Sequence, residues 1–454
     1  MTLTPEKPAA GGRMIARHRG CVLLVAGAIP GEPARVRIER VERSMAYAVV
    51  EEVLGPHPAR RTVVGDPRCG GTVYAHINYP EQTRLKGEII RDALKRLARL
   101  EPPGVIAVTP SPERGYRMRA RLHVRNGRIG FFLENSHRIC DGRESGQLLP
   151  GTSLALDALA DMLPGAGLTG PADLDVSENR SGDMRAVHID LAHDARLELP
   201  GKLGPVPGVT GLSWSHPAMR VERVAFGSPF VEDVVRLRIS SAPDTCADAS
   251  SGDGLRMNPN GDGCVRGEST VGGGSDTPVP LRRHVRAFFQ GNRFLVDELV
   301  AAVIGACPPG PVVDLYAGVG LFGVCLAATG RHEVTAVEGH PASAADLKVN
   351  AQPYSRTIVV RHAAVERFVQ ERAGEAGPGT LILDPPRTGM SREAMAGALG
   401  LGAGRVVFVS CDVATFARDV RRFVDAGYRL DSIQGFDLFP TTAHVEVVAV
   451  LSRD

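Results

Sequence analysis

The sequence predicts an α/β protein whose C-terminal part, residues 281–454, folds as a Rossmann-like, doubly wound sheet ending in an antiparallel edge pair. An N-terminal OB-like β-barrel and a central α+β domain are expected to precede it. Three observations carry this prediction. After residue 281, short β-branched runs alternate with helical stretches, the pattern of βαβ units. A glycine-rich turn, Gly318-Val-Gly320-Leu-Phe-Gly323, follows the first of these runs. The charge is also lopsided: residues 1–145 carry 25 Lys and Arg against 15 Asp and Glu, and residues 146–454 carry 28 against 36.

With 454 residues and 43% hydrophobic content, the chain is long enough for two or three separate cores. No run approaches ~18 uninterrupted apolar residues, and the N-terminus lacks an apolar signal core, so a cytoplasmic protein with no membrane partner is expected. The eight cysteines (Cys21, Cys69, Cys140, Cys246, Cys264, Cys307, Cys325 and Cys411) include no Cys-x-x-Cys pair. That argues against a disulfide framework or a zinc site and predicts mostly reduced, structural thiols. The basic front third predicts a polyanion partner, because neutralising phosphates releases counterions. Ordinary solvated surface charge is the alternative.

Residues 1–12 are rich in Pro, Gly and Ala and read as a frayed terminus. Between 14 and 54, β-branched runs at 21–25, 34–38 and 46–53 flank the turn Ile29-Pro-Gly-Glu32, a spacing that suits a small antiparallel barrel over residues 1–57. The central domain is assigned to 58–280. Within it, residues 86–100 place Ile89, Ile90, Ala93, Leu94, Leu97 and Leu100 on one helical side and basic residues on the other, a helix expected to pack on the C-terminal domain. Glu101-Pro-Pro-Gly104 stops it. In Arg117-Met-Arg-Ala-Arg-Leu122, strand alternation puts Arg117, Arg119 and Arg121 on one face and Met118, Ala120 and Leu122 on the other. An arginine stripe opposite an apolar face suits a sheet that packs on a core and faces phosphates; salt bridges within the sheet are the alternative. Residues 240–280 turn to Ser, Gly, Asp and Pro and read as an insertion that buries no core. Beyond it, strands are predicted over 312–315, 333–337, 357–360, 381–383 and 405–409, with an antiparallel pair at 429–436 and 444–451.

The groups that could do chemistry fall at the ends of these strands. Glu338 stands about twenty residues after the glycine turn, placed to hold ribose hydroxyls beside a closely approached nucleoside. Asp384-Pro-Pro-Arg387 ends the fourth strand, where ligands of open α/β sheets bind. Cys411 tips the run Arg405-Val-Val-Phe-Val-Ser-Cys411 and is a candidate nucleophile, with a buried structural cysteine as the alternative. Glu446, in Phe439-Pro-Thr-Thr-Ala-His-Val-Glu446, is a candidate base. His444 reads as structural.

In order and type, Asp314-Leu-Tyr-Ala-Gly318-Val-Gly320-Leu-Phe-Gly323, Asp384-Pro-Pro-Arg387, Ser410-Cys411-Asp412 and the Phe439 to Glu446 motif resemble the S-adenosylmethionine-dependent RNA uracil-C5 methyltransferases. Residues 22–39, with Ala28-Ile-Pro-Gly-Glu32, resemble the TRAM domain, an OB-like RNA-binding barrel. The resemblance implies a monomeric enzyme forming 5-methyluridine in RNA, ribosomal RNA ahead of transfer RNA because of the barrel. It implies that Gln290, Tyr316, Gly318, Gly320, Glu338 and Asp384 bind S-adenosylmethionine, that Cys411 adds to C6 of the base, and that Glu446 removes the C5 proton. Arg117, Arg119 and Arg121 are expected to bind RNA. A thiolate is needed because uracil C5 is a poor nucleophile until C6 is attacked, and a neighbouring dipole or cation must favour that thiolate. Asp412 opposes it unless its carboxylate points away, onto the target base for instance.

Many relatives with this barrel hold an iron–sulfur cluster on four cysteines. Here the matching core reads Cys69-Gly-Gly-Thr72, with Val63 and the region of Gln147 at the other ligand positions, so no cluster is expected. Val413 replaces a usual proline and Ala317 a common cysteine. The rivals are an RNA cytosine-C5 enzyme, which carries Pro-Cys where this chain has Asp384-Pro-Pro, a nicotinamide oxidoreductase, and an RNA-binding factor with a vestigial site.

Overall fold

The computed structural model describes residues 1–63, 69, 71–102, 104–133, 136–239, 275–372, 374–375 and 377–453. Most of the predicted insertion, residues 240–274 with Cys246 and Cys264, lies outside the described residues. The C-terminal sheet has eight strands in the order Ile358–His362, His332–Glu338, Gly310–Leu315, Thr380–Leu383, Arg405–Ser410, Glu446–Ser452, Arg429–Phe436 and Val108–Thr109. The first five are mutually parallel, and Glu446–Ser452 runs antiparallel to both its neighbours. Val406 and Phe408 join the core on one face with helices Arg392–Gly400 and Val413–Asp425, while Val407 and Val409 join the core on the other with Val296–Gly305. Parallel strands covered on both faces need such uninterrupted apolar runs.

Three sequence expectations are corrected around this sheet. The outermost strand is not part of the C-terminal pair: Val108–Thr109, from the central region, pairs parallel with Arg429–Phe436. Two residues are too short to carry a periodic signal. The helix predicted at 86–100 begins earlier, as Tyr79–Ala93, because Asn78 caps it by accepting from Glu81 N at 3.1 Å, and it ends in a π-helical turn at Leu94–Ala98. The predicted insertion also ends sooner. Ser275–His284 is a strand pairing antiparallel with Phe230–Ile239, and its Val279 and Leu281 are buried in the C-terminal core.

The central sheet has seven strands in the order Ile139–Cys140, Arg128–Phe132, Arg119–Arg125, Ala172–Glu178, Arg185–Leu191, Gly211–Ser215 and Arg223–Gly227. Met118, Ala120 and Leu122 are buried, as alternation requires. The N-terminal sheet has six strands, Thr2–Leu3, Ala34–Val41, Met45–Val53, Cys21–Ala26, Met14–His18 and Lys7–Pro8 in spatial order. It departs from the predicted antiparallel barrel twice. Cys21–Ala26 and Met45–Val53 pair parallel, and no ladder among the described residues joins the two edge strands. Residues 1–12 are not frayed: two short strands tie them to the sheet, and the terminal amine donates to Val36 O at 2.9 Å.

Cys69 and Cys140 are joined by a disulfide, their Cα atoms 5.8 Å apart, against the expectation of reduced thiols. They are 71 residues apart in sequence, and no spacing rule foretells that Cys69 bridges Leu133 beside the hairpin that ends at Cys140. Among the described residues, no helix is long and apolar enough to cross a membrane.

Candidate active site

The glycine turn is built by two carboxylates. Asp314 Oδ2 accepts from Gly323 N at 2.9 Å, and Glu338 accepts from Gly318 N at 2.8 Å and His340 N at 2.5 Å. Tyr316, Gly318 and Gly320 all have left-handed backbones, φ +64°, +58° and +99°. For Tyr316 this is a strained conformation, costing about 1–2 kcal/mol, of the kind concentrated at functional sites. A Cβ on Gly320 would strike Val324 and Leu347, whereas one on Gly318 would meet nothing within 4 Å. The turn is therefore packed behind and open in front. Asp314 Oδ1 is buried there without a partner. Burial and the charge of Asp384 push the Asp314 carboxyl up to about 8, and burial pushes Asp384 up to about 7. An open glycine surface, an orphaned acidic oxygen and a strand-end glutamate are the donor set that a cationic nucleoside requires, so these residues fit S-adenosylmethionine.

Cys411 and Glu446 meet through register. Ser410 pairs with Val447 in the antiparallel ladder, so the next residues, Cys411 and Glu446, stand opposite one another at the mouth of the crevice. Glu446 is buried, and burial together with the Asp384 charge raises its carboxyl well above the usual range. Burial, then the charge of Glu446, pushes the Cys411 thiol up to about 12, while the hydrogen-bonded Arg387 guanidinium pulls the other way. The cation beside the Cys411 sulfur is thus Arg387, which the sequence offered only as part of a turn.

The Asp412 carboxylate caps the helix that follows it. Its Oδ1 accepts from Ala414 N at 3.1 Å and Thr415 N at 2.8 Å, capping helix Val413–Asp425. A capped N-terminus places the positive end of the helix dipole beside Cys411. Val413 occupies the first helical position, where proline is tolerated because the N–H has no helical partner, so the chain's departure from the usual proline costs the helix nothing evident.

The three arginines differ. Arg121 pairs with Asp173 at 2.9 Å and Asp190 at 3.7 Å, so the alternative of internal salt bridges holds for it. Arg119 is opposed by Asp175 and lies over the exposed Phe288 ring. Arg117 lies 5.9 Å from the centre of the Phe439 ring and within electrostatic reach of Arg387 and His444. Gln290 is buried beside Gly291, whose carbonyl accepts from Met118 N at 2.9 Å. Desolvation on its packed side and the charges of Arg387, Lys86 and Arg117 lower the His444 imidazole to about 4, although the residue keeps an exposed face, and its ring stands edge-on to Phe439.

Sequence reasoning missed what holds residues 437–445. Lys86, fully buried rather than on a basic helix face, bonds Asp437 and donates to Phe439 O at 3.0 Å. Gln82 Oε1 accepts from Thr441 N at 2.9 Å, and Thr441 has a left-handed backbone of φ +63°. The available signal was Lys86 at helical spacing from Ile90 and Ala93, a cation inside an apolar stripe. Around Cys69, the residues do not fit an iron–sulfur cluster: its sulfur is bonded to Cys140, and Thr72 and the neighbouring Gln147 offer no thiolate. Among the described residues no cluster of metal ligands forms.

A doubly wound sheet with an antiparallel strand inserted near one edge, and a glycine turn held by acidic residues, defines a Rossmann-like methyltransferase. Residues 281–454 match the family described as tRNA (Uracil-5-)-methyltransferase. An uncharacterized RNA methyltransferase of Parasynechococcus marenigrum is 28% identical over 97% of this chain and 93% of its own, and one of Streptomyces coelicolor is 29% identical over 98% and 90%. The crystal structure of Pyrococcus abyssi tRNA (uracil-54, C5)-methyltransferase with S-adenosyl-L-homocysteine superposes with a TM-score of 0.68 at 23% identity, covering 99% of this chain and 100% of that one. The chain is thus similar over nearly its whole length to RNA methyltransferases, and its residues 281–454 carry the match to the uracil-5 methyltransferase family.

Proposed function

We propose that this enzyme methylates C5 of a uridine in RNA through a covalent cysteine adduct. The observation that carries the reading is the ladder register that sets the Cys411 thiol opposite the buried Glu446 carboxyl, beside the Asp384-Pro-Pro-Arg387 turn. The Cys411 thiol gives its proton to solvent, and the thiolate, with Arg387 as its counter-charge, bonds to C6 of the uracil as the ring's electrons move to C5 and O4. S-adenosylmethionine, when bound, supplies the electrophilic methyl group that C5 takes. Glu446 then accepts the C5 proton, the C5–C6 double bond re-forms, and the Cys411 sulfur leaves C6. A carboxylate kept basic by burial suits that proton abstraction. Tyr316, Gly318, Gly320, Glu338, Asp384 and Gln290 are assigned to the cofactor, and Arg117 and Arg119 to RNA.

For the target, the N-terminal sheet favoured ribosomal RNA. The Pyrococcus abyssi likeness extends over the whole chain, so that sheet no longer separates ribosomal from transfer RNA. RNA uridine is the substrate in this reading, and ribosomal and transfer RNA are its two candidate classes. Mapping 5-methyluridine in both RNA classes from cells with and without the gene tests this. Loss of one 5-methyluridine names the target; unchanged maps in both classes would contradict the enzymatic reading and favour an RNA-binding factor.

A further inference from the structure

The arginine closest to the crevice is held by a neutral amide. Gln147 is fully buried, and its Oε1 accepts from Arg117 Nη1 at 2.6 Å and from the Tyr116 hydroxyl at 3.2 Å. Its backbone carbonyl also accepts from Arg117 N at 2.9 Å. From behind, Gln147 is wedged by the Cys69 turn: Gly71, at φ +92°, has no room for a Cβ, which would lie 2.3 Å from Gln147 Nε2. Arg117 in turn donates through Nε to Arg119 O at 3.0 Å and lies over the Phe131 and Phe439 rings. The guanidinium is thereby fixed in direction on several sides.

The chemistry of the partner matters as much as the distance. A carboxylate would orient a guanidinium equally well but cancel its charge, as Asp173 does for Arg121. An amide carbonyl fixes direction and leaves the positive charge whole. Among the described residues Arg117 forms no ion pair with a carboxylate, in contrast to Arg121.

From this juxtaposition we infer that Gln147 is a positioning residue that aims the undiminished charge of Arg117 at the RNA entering the crevice. The inference rests on the proposed RNA contact of Arg117.

The test compares Gln147→Glu, Gln147→Leu and Arg117→Ala in the full-length protein, reading RNA affinity against salt concentration and, as a check of folding, S-adenosylhomocysteine affinity. Gln147→Glu keeps both hydrogen-bond acceptors and cancels the charge. It should weaken RNA binding several-fold and reduce the slope of log affinity against log salt by about one, as the loss of one phosphate contact does. Gln147→Leu should weaken binding with cofactor affinity retained, and neither change should add to Arg117→Ala. A merely structural glutamine would shift thermal stability and leave the salt slope alone. If Arg117→Ala alters neither affinity nor slope, the RNA contact itself fails. If Arg117→Ala weakens binding while Gln147→Glu and Gln147→Leu both bind as the unaltered protein does, the positioning role is overturned. Should Gln147→Leu lose cofactor binding through misfolding, Gln147→Glu alone decides.

Discussion

The crevice at the carboxyl ends of the C-terminal strands and the turn around Cys69 are built in opposite ways. In the crevice each group assigned a role above sits on or next to a strand end: Asp314, Glu338, Asp384, Cys411 and Glu446 are each fixed by the strand that carries them. Around Cys69, local bonds such as Thr72 Oγ1 to Cys69 O close the turn, but the ties that anchor it to the rest of the molecule are long: the disulfide spans 71 residues and the Thr441 hydroxyl bond to Gly71 O spans 370. Reactivity here is a local property of strand termini, whereas the orientation of the segment leading to Glu446 is imposed from elements distant in sequence.

Breaking a long tie should therefore damage the enzyme without touching a reactive group. Lys86→Met should have the largest effect, because it leaves Asp437 buried and unpaired, a change that costs about 3–5 kcal/mol. Thermal denaturation should show a large drop in Tm, and methylation should fall with it even at temperatures where the protein stays folded. An unchanged Tm would mean that residues 437–445 hold themselves.

Reducing the Cys69–Cys140 link should cost less, about 2–4 kcal/mol by loss of the constraint on the unfolded chain. Urea unfolding with and without a phosphine reductant measures it, with Cys69→Ser/Cys140→Ser insensitive to the reductant. Equal midpoints for the oxidised and reduced protein would remove the disulfide from the stabilising ties.

Within the crevice, the buried carboxyls should appear as a pH dependence. Asp314 titrates near 8 in the fold and at about 3.9 in an unfolded chain, so between these values the folded protein holds a proton the unfolded one has lost. Stability from this group therefore declines as pH rises from about 4 to about 8. Asp314→Asn, whose amide oxygen can still accept from Gly323 N, should flatten the fall of Tm with pH in that window. A slope identical to that of the unaltered protein would contradict the burial assigned to this carboxyl. The smallest effect is expected from Arg121→Gln. Its partly exposed ion pairs are worth about 1 kcal/mol or less, and because Asp173 and Asp190 already offset its charge, it should change the salt slope of RNA binding less than Arg117→Ala does.

The same contrast explains what the sequence revealed. Five parallel strands, the glycine turn and the placement of Glu338, Asp384, Cys411 and Glu446 at strand ends were legible, because apolar runs, turn residues and strand-end motifs are written in consecutive positions. Val108–Thr109 was not, since two residues at a sheet edge carry no periodicity. Nor were the strands within residues 1–12, where a Pro- and Gly-rich composition masks short edge pairings. The disulfide, the Gln147 wedge and the Lys86–Asp437 pair depend on which distant segments meet, and only Lys86 betrayed itself, as a charge in an apolar stripe. The stripe of Arg117, Arg119 and Arg121 was placed on one face by alternation, but the aspartates opposite Arg121 come from strands whose pairing no local pattern specifies.

The account stands on the division of labour between Cys411 and Glu446. Cys411→Ala, Glu446→Gln and the unaltered enzyme, each incubated with substrate RNA and methyl-labelled S-adenosylmethionine and then denatured, should separate the two roles in one gel. Glu446→Gln should yield a denaturation-resistant protein–RNA band carrying labelled methyl, because attack and transfer proceed while proton removal stalls. Cys411→Ala should yield neither band nor methylated RNA, and the unaltered enzyme at most a transient band. A Cys411→Ala protein that still methylates RNA would contradict the covalent mechanism and point to direct transfer to nitrogen or oxygen.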